Sequence, residues 1–136
     1  MAHTKFRVEV LTPEGQVFDD EVEQVSTMTA VGSIGILAGH QPLLGMAEPS
    51  PLRLYRSETD VVTYAQGEGY IQVADGNVLI LVEEALDPSE LNAKELEGQI
   101  KEADSRLEAA SEDSEEFRLA TRDKRRWEAF LEIANS

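Results

Sequence analysis

The hydrophobic pattern of this 136-residue chain changes its period once, near residues 86–88, and that change limits the folds open to it. From Phe6 onward, short apolar runs show the period of two that is typical of strands with one buried face. Beyond Asp87, apolar residues recur every three or four positions, as in amphipathic helices. We therefore predict an α+β protein, with a β-sandwich over residues 1–86 and an antiparallel two-helix hairpin over residues 87–136.

Seven short apolar runs predict the strands of the first region. They cover residues 6–10, 22–28, 34–37, 52–55, 61–64, 70–73 and 78–82. Many short strands separated by turn residues are typical of a sandwich or barrel. A turn is predicted at Pro13-Glu14-Gly15-Gln16, since proline and glycine favour turn conformations.

The last two strands are expected to form a hairpin. Asp75-Gly76 lies between two β-branched runs, and this dipeptide supplies the positive-φ residues of a tight turn. The run Val78–Val82 is continuously apolar, which predicts a strand covered on both faces, by the second layer of the sandwich and by the tail or a partner.

The first helix is predicted to begin near Leu86. Asp87 can cap a helix, Pro88 suits its first position, and Glu90 would complete a capping box. An apolar stripe follows at helical spacing, with charged residues on the opposite side. Its members are Leu96, Ile100, Ala103, Leu107 and Ala110.

A second helix is predicted after a break at Ser111-Glu112-Asp113-Ser114, which offers new capping residues. Its stripe is interrupted by one polar residue, Lys124. The members of the stripe are Phe117, Ala120, Lys124, Trp127, Leu131 and Ala134. The two stripes can cover each other in a hairpin, and Trp127 and Phe130 are interpreted as hairpin core rather than as anchors for a partner.

The composition excludes several classes of function. The chain has 27 acidic and 12 basic residues and a net charge of -15, which disfavours binding to nucleic acid. It contains 41% hydrophobic residues, but no run approaches the roughly 20 apolar residues of a membrane-crossing helix. No secretory signal is evident at the N-terminus, so an intracellular location is expected.

Catalytic and metal sites are not expected. The chain has no cysteine and two histidines, His3 and His40, so neither a multi-histidine metal site nor a histidine-based triad is evident. The adjacent acids Asp19-Asp20-Glu21 and Glu83-Glu84 are interpreted as solvated side chains. We therefore predict no enzyme activity, no metal and no cofactor.

Two segments carry a resemblance to a known family. Gly32-Ser33-Ile34-Gly35-Ile36-Leu37-Ala38-Gly39-His40-Gln41-Pro42-Leu43-Leu44 resembles the G-x-(I/L)-G-(I/V)-L-x-x-H-x-P-L signature of ATP synthase epsilon subunits and the equivalent mitochondrial delta subunits. Gly67-Glu68-Gly69-Tyr70-Ile71-Gln72-Val73 resembles the later G-G-(F/Y)-x-(E/Q)-V element, with Glu68 at a position that is commonly glycine. The likeness extends over nearly the whole chain.

The resemblance implies a role as well as a fold. Members of the family have a β-sandwich followed by two helices and are non-catalytic subunits of the central stalk. The sandwich contacts the gamma subunit and the c-ring, peripheral to the membrane on its cytoplasmic face. The helical tail can extend toward the alpha/beta catalytic head and inhibit ATP hydrolysis. Coupling of proton flow to ATP synthesis is thus the implied function.

The resemblance also implies where partners bind. Ser33, Ile34, His40 and Pro42 fall in the region that faces the c-ring. For His40 a structural interpretation competes with partner contact, since its side chain could hydrogen-bond within its own turn and orient Pro42.

Four arginines form the main basic cluster of the chain: Arg118, Arg122, Arg125 and Arg126. The first three share one helical face. They could pair with acids of the first helix, such as Glu95, Glu102 or Glu108, or they could dock on acidic surfaces of the catalytic head, as the resemblance implies.

ATP binding to the chain itself is not expected. Some bacterial members bind ATP through a motif resembling I/L-D-x-x-R-A, and Leu86-Asp87-Pro88-Ser89-Glu90-Leu91 stands at the matching place. Glu90 replaces the arginine, and a carboxylate repels a triphosphate. Two other functions fit the predicted fold: a small-ligand-binding β-sandwich, and an adaptor that uses its helices in a coiled coil.

Overall fold

The computed structural model describes residues 3–136, which form two compact units separated in sequence between Asp87 and Pro88. The first unit is built of strands and the second of helices. The predicted α+β class, a β-sandwich followed by two helices, is therefore confirmed. The predicted boundary after residue 86 lies one residue before the observed division.

The described part of the first unit contains ten strands, arranged as two layers. The strands are β1 (Phe6–Thr12), β2 (Gly15–Val22), β3 (Gln24–Thr29), β4 (Gly32–Leu37), β5 (Leu43–Ala47), β6 (Ser50–Tyr55), β7 (Val61–Gln66), β8 (Gly69–Ala74), β9 (Asn77–Val82) and β10 (Ala85–Leu86). One layer has the order β4, β3, β6, β7, β10 and the other has the order β5, β8, β9, β1, β2. The layers are joined where Thr29 pairs with Ala47.

The core lies between these layers and is made of alternate residues from most of the strands. Valine, isoleucine and leucine dominate, since branched aliphatic side chains pack well on a pleated surface. The members of the core cluster with at most 1% exposure are Val8, Val10, Val22, Val25, Ile36, Leu52, Leu54, Ile71 and Ile80. These residues belong to one continuous cluster that fixes the inner face of each layer.

The hairpin between β8 and β9 is confirmed. Ala74 pairs with Asn77, and the two residues of the turn, Asp75 and Gly76, have φ angles of 53° and 78°. Two consecutive residues with positive φ are what a tight hairpin turn with the right-handed strand twist requires.

Three strands were not predicted, and one predicted run proved to be two elements. The run 22–28 spans the end of β2 and most of β3, with Glu23 between them. β2 escaped notice because Phe18 and Val22 are its only buried residues and an acidic segment follows Phe18. β2 lies at the end of its layer, where charged residues are compatible with a strand. The unpredicted strands are β2, β5 and β10.

The predicted start of the first helix was wrong. Pro88–Glu90 forms a single 3₁₀ turn, and the helix α1 spans Ala93–Ala109. Its N-cap is Asn92, whose side-chain oxygen accepts a hydrogen bond from the backbone N–H of Glu95 at 3.2 Å. Asn92 has extended backbone angles, which separate the 3₁₀ turn from α1. Asparagine followed by Glu95 three residues later was the sequence signal that the prediction overlooked.

The start of the second helix was predicted correctly. The helix α2 spans Glu115–Ala134, and the hydroxyl of its N-cap Ser114 accepts a hydrogen bond from the N–H of Phe117 at 3.2 Å. Leu96 and Ala103 of α1 are buried, as are Ala120 and Phe130 of α2. Ile100, Leu107 and Trp127 are half-buried, whereas Ala110 lies just beyond the end of α1. The hairpin therefore closes around few fully buried side chains.

Candidate functional site

The outer surface of the layer that contains β5, β8, β9 and β1 carries a connected group of apolar side chains. Strand pairing arranges them in two rows across the layer. One row is Met46, Tyr70, Leu81 and Leu11, and the other is Leu44, Gln72, Leu79 and Glu9. We call the six apolar members the outer apolar face: Leu11, Leu44, Met46, Tyr70, Leu79 and Leu81.

The outer apolar face is accessible to solvent. Leu44 is 72% exposed, Met46 58% and Leu81 43%, and Tyr70 is also more than half exposed. Isolated apolar residues are common on protein surfaces, but a contiguous set on one face is typical of an interaction site. The geometry therefore favours a docking surface at this place.

Val78–Val82 was predicted to be covered on both faces; the sandwich core covers one face, and cover of the other face by a partner stays a prediction. Val78, Ile80 and Val82 are buried in the core, while Leu79 is half-buried and Leu81 is exposed. The strand thus has one buried and one accessible face, like its neighbours. Its unbroken apolar sequence arises because its outward residues belong to the outer apolar face.

One end of the outer apolar face opens into a groove of about 330 Å³. Most of its lining is apolar, and two carboxylates also contribute. The lining residues include Leu11, Pro13, Tyr70, Leu81, Val82, Glu68 and Glu83. The groove therefore offers an apolar surface beside negative charge.

Gly69 determines how closely β8 and β9 approach at this groove. A Cβ atom at position 69 would lie 1.9 Å from the carbonyl oxygen of Leu81 and 2.7 Å from the Cα atom of Val82. Real contacts of that length do not occur, so a side chain here would force the two strands apart. Gly69 belongs to the second segment that carries the family resemblance, and its physical role is this close approach.

The turn between β3 and β4 projects one large apolar residue, Val31. The Thr29 hydroxyl donates to the carbonyl of Gly32 at 2.8 Å and accepts from the N–H of Val31 at 3.3 Å. Gly32 has a φ of 126°, a backbone conformation that favours glycine. Val31 is 98% exposed at the tip of this fixed turn, and the sequence analysis did not select it.

Ser33 and Ile34, both predicted to contact a partner, point to opposite sides of β4. Ser33 pairs with Met28, and both are exposed on the outer surface. Ile34 pairs with the buried Thr27 and packs against the core cluster. Ser33 is thus placed for direct contact, whereas Ile34 supports the strand from within.

His40 lies in the turn that follows β4. Its backbone N–H donates to the carbonyl of Leu37 at 3.1 Å, and its Nδ1 atom lies 2.7 Å from the carbonyl oxygen of Gln41. In the tautomer protonated at Nδ1, the ring donates that hydrogen bond. The geometry favours the interpretation that His40 organises its own turn, next to the exposed Pro42.

The four arginines of α2 do not form one uniform cluster. Arg118, Arg122 and Arg125 are exposed, as their shared face predicts. Arg126 is half-buried, with its guanidinium carbon 4.3 Å from the centre of the Trp127 ring and Nη2 3.2 Å from Asp123. The structure therefore brings three of the predicted residues to one accessible surface and places the fourth in the packing of the hairpin.

Two of these arginines form ion pairs within their own helix. Arg118 donates to Glu115, with Nε 3.3 Å from the carboxylate, and Arg126 pairs with Asp123, also on α2. Each acid lies three residues before its arginine, a spacing that brings side chains together on a helix. Pairing of the four arginines with acids of α1 stays a prediction.

Two other ion pairs connect the helices. Arg106 of α1 contacts Asp123 at 2.9 Å, and Lys124 of α2 contacts Asp104 at 2.8 Å. The hydrogen bond with Asp104 and its negative charge raise the pKa of Lys124. Lys124, the polar residue within the apolar stripe of α2, is thus paired with the acidic Asp104 of α1.

Ionisable side chains of the sandwich with shifted pKa values are hydrogen-bonded to other residues of the sandwich. Arg7 donates two hydrogen bonds to Asp19, at 2.9 and 3.0 Å, and these lower the pKa of the carboxyl group. Burial raises the pKa of Tyr64, whose hydroxyl donates to the carbonyl of Val17 at 3.1 Å. Within residues 3–136, no group of three or more histidine or acidic side chains is arranged to hold a metal ion.

The position that would hold the arginine of the ATP-binding motif is exposed. Glu90 ends the 3₁₀ turn, and neither it nor Asp87 caps α1, since that position belongs to Asn92. The expectation that Asp87 and Glu90 cap the first α-helix is therefore wrong. The acidic side chain at position 90 still opposes a triphosphate at this place.

The sequence of the β unit decides the family. A family model described as the ATP synthase, Delta/Epsilon chain, beta-sandwich domain matches residues 5–88, more than half of the chain. The chain belongs to this family. The resemblance found in the two glycine-containing segments is thereby confirmed.

Similarity to members of the delta/epsilon family continues through the helices. The ATP synthase epsilon chain of Persephonella marina is 41% identical over 130 residues, which cover 95% of this chain and 96% of that relative. The ATP synthase epsilon chain of a Sulfurihydrogenibium species is 32% identical over 131 residues, covering 96% and 98% of the two chains. Both units are therefore common to the family members compared.

Two solved structures share the fold. A chain in the cryo-EM structure of the Euglena gracilis mitochondrial ATP synthase, with OSCP, F1 and c-ring, superposes with a TM-score of 0.81 at 22% identity, covering 97% of this chain and 82% of that one. A chain in the central stalk and c-ring structure of Tetrahymena thermophila mitochondrial ATP synthase gives 0.69 at 19%, covering 98% and 99%. Among the described residues of this chain, no helix is long and apolar enough to span a bilayer.

Proposed function

We propose that this chain is the non-catalytic epsilon-type subunit of an F-type ATP synthase. It is part of the rotor, where it joins the gamma subunit to the c-ring and so helps to couple proton translocation to ATP synthesis in the catalytic head. It is peripheral to the membrane, on the cytoplasmic face. The observation that carries this proposal is the outer apolar face, a ready docking surface on a sandwich of the delta/epsilon family.

The gamma subunit is the proposed occupant of the outer apolar face. A surface that exposes Leu44, Met46 and Tyr70 together loses unfavourable hydration when a partner covers it. The surrounding positions are charged, with Glu9 at the end of one row and Asp19 beside it on β2. An apolar centre with a polar border is the usual anatomy of a protein interface.

The c-ring is the proposed partner of the β3–β4 turn and of the turn that follows β4. Val31 and Ser33 supply exposed side chains on the first of these elements, and Pro42 on the second. His40 and Ile34 act as positioning residues: His40 through its hydrogen bonds within the turn, Ile34 through packing under β4. Tight turns of fixed shape suit a contact that must transmit torque.

The helical hairpin is the proposed regulatory element. Arg118, Arg122 and Arg125 form an exposed basic face on a chain whose net charge is -15, and this face is complementary to acidic surfaces of the alpha/beta catalytic head. Contact there inhibits ATP hydrolysis. Arg126 contributes through hairpin packing, because it stacks on Trp127.

The test combines binding with ATP hydrolysis by the catalytic head. The full chain is expected to co-elute with the gamma subunit from the same organism and to lower hydrolysis by the assembled head. The double variant Arg122→Glu and Arg125→Glu should still bind gamma but lose at least about half of the inhibition, since both charges change sign on the docking face. The matched control is Lys94→Glu with Lys101→Glu, the same charge change on exposed positions of α1. Equal inhibition by both double variants would remove the regulatory role of the basic face.

A further inference from the structure

We propose that the groove at the end of the outer apolar face receives a segment of the gamma subunit that presents a large apolar side chain next to a lysine or arginine. This inference rests on the proposed function, and it specifies the chemistry of the partner at one part of the interface. Three features of the groove support it: continuity with the outer apolar face, the charge of the lining, and the rigidity of the floor.

The groove continues one row of the outer apolar face. Tyr70, Leu81 and Leu11 are neighbours in that row, and all three also line the groove. A partner that covers the row therefore reaches the groove without a gap. Its volume of about 330 Å³ is on the order of ten times the volume of one water molecule, so a large side chain fits better than a single ion or solvent molecule.

The lining explains why the occupant carries a positive charge beside its apolar group. Glu83 lines the groove and is exposed just after β9, where its backbone N–H donates to the carbonyl of Glu68 at 2.9 Å. Covering the Glu83 carboxylate with an apolar surface alone would cost desolvation energy, whereas a nearby lysine or arginine compensates for it.

The floor of the groove is fixed before binding. The absence of a Cβ atom at Gly69 lets the backbone of β8 contact Leu81 and Val82 closely, and the strand ladder holds that arrangement. A preformed site loses little conformational entropy on binding, so side chains that enter it contribute efficiently to affinity.

The test measures the affinity of the full chain for the gamma subunit by titration at low and at moderate salt. Glu83→Lys is expected to weaken binding about tenfold and to reduce the salt dependence, because an attractive charge becomes repulsive. The matched control is Glu21→Lys, the same charge change at an exposed position of β2, which is expected to bind within about twofold of the unchanged chain.

A second variant examines the apolar part of the groove. Leu81→Asn is expected to weaken binding about tenfold while thermal unfolding stays close to that of the unchanged chain, since Leu81 is partly exposed. If Met46→Asp abolishes binding but both groove variants bind like the unchanged chain, the proposed function stands and this inference is overturned. If the unchanged chain does not bind gamma, the proposed function itself fails. Self-association lost on Leu81→Asn without any change in gamma binding would assign the groove to a second copy and overturn the inference.

Discussion

Different interactions stabilise the sandwich and the hairpin, each considered by itself. The sandwich closes around large aliphatic side chains such as Leu54 and Ile80, which are completely buried. In the hairpin two of the four buried residues are alanines, Ala103 and Ala120, and ion pairs join the helices beside them. The comparison indicates that the sandwich depends on apolar burial, whereas the hairpin depends partly on charge and hence on salt and pH.

The largest expected effect tests the sandwich side of this comparison. Leu54→Ala should lower the free energy of unfolding by about 2–5 kcal/mol, because it leaves a cavity in the centre of the core. The matched control is Leu37→Ala at an exposed position of β4, with an expected change of about 0.5 kcal/mol or less. Urea unfolding followed by circular dichroism measures both, and similar losses would contradict the assignment of the core.

A smaller effect tests the hairpin side. Asp123 contacts Arg106 of α1 and Arg126 of its own helix, so Asp123→Asn weakens both pairs. We expect a loss of about 1 kcal/mol or less, as for partly exposed ion pairs. Addition of salt should reduce the difference from the unchanged chain, since screening already weakens the pairs. A double-mutant cycle with Arg106→Gln measures the coupling, and a value of zero would show that the cross-helix pair contributes nothing.

The smallest effect concerns pH. Hydrogen bonding to Asp104 raises the pKa of Lys124 in the folded chain above its value in the unfolded chain. The resulting stabilisation is fully present below the pKa of an ordinary lysine, about 10.4, and is lost as pH rises through the folded value. Thermal unfolding of the helices should be measured between about pH 9 and about pH 12, on either side of that pKa. The stability of the unchanged chain should fall over this range, and Asp104→Asn should abolish the part of the fall that comes from Lys124. If stability depends on pH in the same way in Asp104→Asn and in the unchanged chain, the Lys124–Asp104 pair does not contribute to stability.

The sequence predicted the features that depend on local pattern. The change of period near Asp87, the Asp75-Gly76 turn and the Ser114 cap were all readable, because each depends on a few adjacent residues. The start of α1 was also local, but Asn92 was overlooked in favour of the proline signal at position 88.

The outer apolar face could not be predicted in the same way. Which residues of Val78–Val82 face the core depends on pairing with β8 and β1, and those strands are distant in sequence from one another. The difference between Arg125, which is exposed, and Arg126, which stacks on Trp127, likewise depends on how the helix rotates in the hairpin. Which of these residues are exposed therefore depends on long-range packing, which the local sequence pattern does not determine.

The proposed binding of the gamma subunit to the outer apolar face can be tested by the affinity of one matched pair of variants. Met46→Asp places a charge within that face, while Val61→Asp places the same charge on an exposed residue of β7 in the other layer. We expect Met46→Asp to weaken gamma binding at least about tenfold and Val61→Asp to leave the affinity within about twofold of the unchanged chain. If both variants are folded and bind gamma with equal affinity, the outer apolar face is not the gamma-binding surface.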